Sequence, residues 1–275
     1  MASPMQQLRG ALAQYPVVSN LIIINVLLLL ATWVAERTFH FDLINTLGLH
    51  YPASQLFRPY QIVTHIFMHG GLTHLFFNMF ALWMFGRILE NQLGGKRFLF
   101  YYLFTGLGAA GVHTLVNYFE FTSLQHQIDA LLPSLSPESL DYFITQHFPQ
   151  YHTYFYENII APWEATPSNP QFSVLAHDYL QQLVSLQMDI PTVGASGAVF
   201  GILLAFGMLY PNVVLYLLIP PIPIKAKWFV IIYAAIELYL GISQPGSSIA
   251  HFAHIGGMIF GFFLILYWRK YGSRL

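Results

Sequence analysis

The run VVSNLIIINVLLLLATWV at residues 17–34 carries no charged side chain from end to end. About 20 apolar residues cross the hydrocarbon core of a bilayer. A backbone in lipid must also satisfy its own N–H and C=O groups, which a helix does. The run therefore predicts a membrane-spanning helix. Working outward, five more stretches read the same way: Gly71–Leu89, Phe98–Val116, Val193–Leu209, Trp228–Ser243 and Ala250–Trp268. The fourth and fifth of the six are short, which predicts an end in a watery recess or shielded by protein. The expected fold class is an all-α polytopic membrane protein of six transmembrane helices. It forms one membrane domain over residues 1–275, with 118–190 as a long loop between spans three and four. Met1–Gln14 is polar, holds one Arg, and leads to no cleavage site, so the first run is expected to stay as a span.

Composition points the same way. Only 8% of the 275 residues are charged and 56% are hydrophobic, against about 25% charged in soluble domains. A net charge of -1 gives no field to attract a polyanion, so nucleic acid is not expected as a partner. The absence of cysteine excludes disulfides, thiolate metal sites and thiol nucleophiles. If the N-terminus is cytoplasmic, nine of the eleven basic residues fall inside: Arg9, Arg87, Lys96, Arg97, Lys225, Lys227, Arg269, Lys270 and Arg274. Only Arg37 and Arg58 fall outside, in line with the positive-inside rule. The loop 118–190 holds eight acids and no Lys or Arg, and this topology makes it exoplasmic. Within it, Ser136-Pro137-Glu138 reads as a helix start. Phe172–Met188 has helical spacing, and Tyr151, Tyr154, Phe155, Tyr156 and Trp163 suit the headgroup level. A partly helical cap on the outer face is expected.

The even-numbered spans then run inward and open on polar groups. Span two opens on His69, His74 and Asn78, span four on Gly194-Ala195-Ser196-Gly197, span six on His251 and His254. At about 1.5 Å per residue, Ser196 and His254 share one depth, on the order of 5 Å below their helix starts. Gly197 and Gly201, and likewise Gly257 and Gly261, are spaced for close helix contact between spans four and six. That crossing would bring the Ser196 hydroxyl to the His254 ring, a nucleophile beside a base. His74 and Asn78 lie on one face and can donate to an oxyanion, beside the Ser196 N–H. Glu237 sits mid-span in the fifth segment and needs a partner that the sequence does not name. His65 and His69 read as structural hydrogen-bonders. His251 reads equally as cavity lining or as a structural group.

GASGAVFG at 194–201, AHIGG at 253–257 and HGGLTHLFFN at 69–78, in this order of spans, closely resemble the motifs of the rhomboid intramembrane serine proteases. The resemblance covers nearly the whole chain except 118–190. It implies Ser196 as nucleophile, His254 as general base, and His74 and Asn78 as oxyanion-hole side chains. It implies a dyad, with no acid completing a triad. Phe200 stands where many members have a Tyr stacked on the histidine, so stacking is expected without the hydroxyl. Phe57-Arg58 replaces a Trp-Arg pair in the first exoplasmic loop.

The implied activity is endoproteolysis of transmembrane protein substrates, after a small residue near the exoplasmic face of a cell membrane such as a bacterial inner membrane. Both termini are expected in the cytoplasm. Entry is expected sideways past span five, along Trp228, Phe229, Ile232, Tyr233, Ile236 and Leu240. Membrane lipid is the surrounding partner, and no metal or other cofactor is implied. Three rivals differ in class. A metal-dependent membrane protein lacks HExxH and any carboxylate beside a histidine pair on one span. A transporter would show an inverted repeat, and none is visible. An inactive relative that only binds transmembrane clients would not need Ser196 and His254 intact.

Overall fold

The structure, a computed structural model, describes residues 14–216, 220–244 and 250–272. Arg9, Arg274 and nearly all of the polar Met1–Gln14 stretch lie outside the described residues. The principal helices are α1 (Pro16–Phe39), α2 (Leu72–Leu93), α3 (Gly95–Leu131), α4 (Pro137–His147), α5 (Gln171–Met188), α6 (Ser196–Leu209), α7 (Ala226–Ser243) and α8 (His251–Tyr271). A short antiparallel ribbon pairs β1 (Val214–Tyr216) with β2 (Pro223–Lys225), Val214 opposite Lys225. The chain divides into two compact units. One comprises Met1–Pro52, Leu56–Val116 and Pro191–Leu275; the other comprises Ala53–Gln55 and Asn117–Ile190.

In the first unit, α1, α2, α3, α7 and α8 are long and apolar enough to cross a membrane. The apolar α6 has 14 residues, about 21 Å against a hydrocarbon core of about 30 Å. Two polar side chains of α1 bond at home: Asn25 Nδ2 donates to Leu21 O at 2.7 Å and Thr32 Oγ1 to Leu28 O at 2.9 Å. Its first N–H groups have no partner within the helix. The buried Glu90 carboxylate, near the end of α2, accepts from Val17 N at 3.0 Å and Val18 N at 2.8 Å. Negative charge at a helix N-terminus is favourable. The core between these helices holds Val18, Leu82, Phe98, Tyr101, Tyr102, Ile202, Phe206 and Ile265.

The glycines of α6 and α8 are shared with a third helix. A Cβ on Gly257 would fall 1.9 Å from Gly197 O, so α6 and α8 touch backbone to backbone there. A Cβ on Gly197 or Gly201 would instead strike α3, at Ala109 (2.4 Å) and Thr105 (2.6 Å). Gly261 faces Tyr101 of α3 as well, its Cβ position 2.2 Å from the Tyr101 hydroxyl. The expectation that both pairs serve the α6–α8 contact is corrected: α3 fills most of the space they leave.

The third span does not stop at Val116. No Pro or Gly follows Gly111 until Pro133, so nothing breaks the helix and α3 runs on to Leu131. The second unit carries helices at both places where the sequence predicts them, Pro137–His147 and Gln171–Met188. The Ser136 hydroxyl accepts from Ser139 N, and Ser139 Oγ accepts from Ser136 N, a reciprocal cap that starts α4. Short helical turns cover His152–Phe155, Tyr156–Ile160 and Ala161–Ala165. Ile128, Leu140, Ile144, Phe148, Phe155, Trp163 and Leu180 form its own core. Phe155 and Trp163 are thus buried in protein rather than set for a headgroup layer, while Tyr151, Tyr154 and Tyr156 are exposed.

Candidate functional site

The site lies where α6 and α8 begin. Gly194 adopts φ +133°, open to glycine, and a Cβ there would meet His74 Cε1 at 2.8 Å. Its N–H donates to His65 O at 3.0 Å, and Leu49 and Thr192 exchange backbone bonds of 2.9 and 2.8 Å. These contacts hold the segment before α6 extended. The helix therefore starts at Ser196, not at Val193, and Ser196 is its first residue rather than one turn down. The Ser196 N–H consequently has no acceptor within the helix and points out of its positive end. The other ends of α6 and α8 meet too: Arg269 Nη2 donates to Met208 O at 2.7 Å. The two helices run side by side in the same direction.

One turn into α8, His254 Nε2 stands 2.8 Å from Ser196 Oγ. Phe200, one turn into α6, lies flat on the His254 ring, centroids 4.1 Å apart and planes at 6°. Tyr233 of α7 also packs on Phe200, centroids 4.9 Å apart and planes at 44°. The second nitrogen, His254 Nδ1, is 2.8 Å from Glu237 Oε2. His251 Nδ1 reaches the same oxygen at 2.7 Å. All three of Glu237, His251 and His254 are buried. A carboxylate oxygen only accepts, so each imidazole presents N–H at Nδ1. A neutral His254 then has a bare Nε2, which accepts the Ser196 hydroxyl. The arrangement is a hydroxyl, a base and an acid in line, on three helices.

The oxyanion candidates come from α2. His74 and Ser196 flank Gly194: a Cβ there would lie 2.9 Å from His74 Nε2 and 3.6 Å from Ser196 Oγ. Asn78 lies one turn further along, buried, and its amide nitrogen has no hydrogen-bond partner among the described residues. His69 packs edge-on against His74, centroids 5.0 Å apart. Burial, with His74 adding repulsion, pushes His69 down to about 3; burial also lowers His65. Both rings are therefore neutral near pH 7. His65 Nδ1 donates to Gln61 O at 2.9 Å.

By sequence Glu237 has no named partner, and the resemblance implies no acid at the site. The structure supplies both: Glu237 is the acid, His254 and His251 the partners. The signal was the spacing of the two histidines, three apart on one helix face and so able to converge on one group. A carboxylate does stand beside a histidine pair in space, although no single span carries both. Their three donor atoms lie within 4.8 Å of one another. Both imidazoles, however, spend Nδ1 on Glu237, and His254 spends Nε2 on Ser196. The proposed entry face of α7 divides: Trp228, Ile232 and Ile236 are exposed, while Phe229 and Tyr233 pack inward.

Residues 56–122 and 171–271, more than half of the chain, match the rhomboid domain family. Over 93 residues, 33% of this chain and 31% of the relative, the sequence is 37% identical to Rhomboid-like protein 11, chloroplastic, of Arabidopsis thaliana. Over 48 residues, 18% of this chain and 10% of the relative, it is 42% identical to Rhomboid protease GluP of Bacillus subtilis (strain 168). The matched segments thus span about a third or less of these relatives.

Proposed function

Because the chain belongs to the rhomboid family, we propose that it is an intramembrane serine endopeptidase acting on transmembrane protein substrates. The observation that carries this reading is the 2.8 Å contact between Ser196 Oγ and His254 Nε2, made between two helices whose starts lie together. Ser196 attacks the scissile carbonyl while His254 takes its proton, then returns it to the leaving amine. His74, Asn78 and the Ser196 N–H receive the oxyanion; the unpartnered Asn78 amide supports that assignment. A peptide bond inside a helix is shielded, so the substrate unwinds before attack.

In this reading α6 is the fourth of six spans, its short length leaving Ser196 below the membrane surface within reach of water. Lys96, Arg97, Lys225, Lys227, Arg269 and Lys270 cluster at the helix ends opposite Ser196, which supports a cytoplasmic side there and an exoplasmic site. Both termini are then cytoplasmic. A client-binding role without catalysis is the alternative, and the paired Ser196 and His254 stand against it.

The test is labelling with a fluorophosphonate, mapping of the modified residue, and cleavage of a model transmembrane substrate. Ser196 is expected to carry the label. Ser196→Ala and His254→Ala are each expected to abolish cleavage with melting temperatures within a few degrees of the parent. Robust turnover by either variant overturns the reading.

A further inference from the structure

We propose that Glu237 is a positioning residue for this reaction: its carboxylate fixes the ring and tautomer of His254 and steadies the imidazolium that forms. The proposal rests on the protease reading above. It starts from the expense of an acid in a span, which must be paired. Glu237 meets that need with two imidazoles on one oxygen, at 2.7 and 2.8 Å. The His254 ring is thereby held at three points. Glu237 takes Nδ1, Ser196 takes Nε2, and Phe200 covers its face. His251 is the second tether, keeping the carboxylate from turning away from His254. Without Glu237 the ring is free to carry its proton on Nε2, and Ser196 then has no base.

Acylation balances with the groups present. Ser196 Oγ bonds to the carbonyl carbon as its proton moves to His254 Nε2, and the carbonyl π pair moves to oxygen. His254 now holds two protons and a positive charge; its Nδ1–H stays on the ring, bonded to Glu237. Collapse restores the carbonyl, breaks the C–N bond and delivers the Nε2 proton to the amine. A water molecule, giving its proton to His254 Nε2, then attacks the acyl carbon, so that the ester bond breaks and Ser196 Oγ regains a proton. Glu237 exchanges no proton at any stage. Its contribution is orientation and charge, and losing the orienting acid of a serine hydrolase costs up to about 10⁴-fold in kcat.

The experiment compares wild type, Glu237→Gln and Glu237→Asp in detergent, with fluorophosphonate labelling, kcat and KM on a transmembrane substrate, melting temperature, and nitrogen NMR of isotopically labelled histidine. Glutamine keeps the shape and removes the charge. Expected for Glu237→Gln are a near-parental melt and a kcat lower by about 10²- to 10⁴-fold with KM within about threefold. The His254 Nδ1–H signature is expected to weaken, and Glu237→Asp to recover part of kcat. A folded Glu237→Gln variant that labels and turns over like wild type overturns the proposal while leaving the protease reading intact. Loss of activity in step with loss of melting temperature, with the His254 signals unchanged, also overturns it and assigns Glu237 to helix packing. A wild type that neither labels nor cleaves strikes the protease reading itself, and this proposal with it.

Discussion

Burial, joined at His69 by repulsion from His74, makes His65 and His69 costly to charge, and that fixes a pH dependence. Each has its folded value lowered, His69 to about 3, against about 6.5 in an unfolded chain. The unfolded chain therefore takes up protons first on acidification. The stability these rings allow is complete above about pH 6.5 and drains as pH falls below it, for His69 by up to about 1.4 kcal/mol per pH unit towards pH 3. The melting temperature in detergent is expected to drop between about pH 6.5 and 4.5, and the drop to be shallower in His69→Leu. Equal melts across that window would refute the assignment. At this scale the sequence was legible where residues came in motifs: Ser196, His254 and Phe200 are brought together as their positions suggested. Glu237 was visible only as an acid in an apolar run. Its partners depend on how α7 lies on α8, which no local spacing encodes.

Small residues decide how the helices meet. The Cβ that alanine would add at Gly257 would overlap Gly197 O at 1.9 Å, and backbone cannot step aside as a flexible side chain can. Gly257→Ala is expected to push α8 off α6, costing about 1–3 kcal/mol of stability and most of the fluorophosphonate labelling. Gly111→Ala, in α3, meets nothing within 4 Å and is expected to be neutral or stabilising by about 0.5–1 kcal/mol. Labelling and melting of the pair check this; a Gly257→Ala variant that labels normally would refute it. The sequence marked these positions as small but not which helix uses the space, and α3 takes more of it than expected. The same limit applies to Glu90, whose value as a cap for α1 is set by where α2 ends.

Across the whole chain, two cores are built from different residues. One gathers Phe98, Tyr101, Phe206 and Ile265; the other gathers Phe148, Phe155, Trp163 and Leu180. Phe155→Ala removes a fully buried ring from the second and is expected to cost about 3–5 kcal/mol there, while Ser196 still takes the fluorophosphonate. Protease nicking confined to residues 118–190, with labelling intact, is the outcome that checks it; loss of labelling would tie the cores together. The span carrying Glu237 brings a last consequence. Only 22% of the most apolar stretch of α7 is buried, against 50% for α8, so it is the rod least firmly clasped by its neighbours. A sideways drift of about 1 Å would stretch the 2.8 Å link to His254 beyond bonding range. The tie between the Glu237 carboxylate and the His254 ring therefore hangs on the posture of a single loosely gripped pillar.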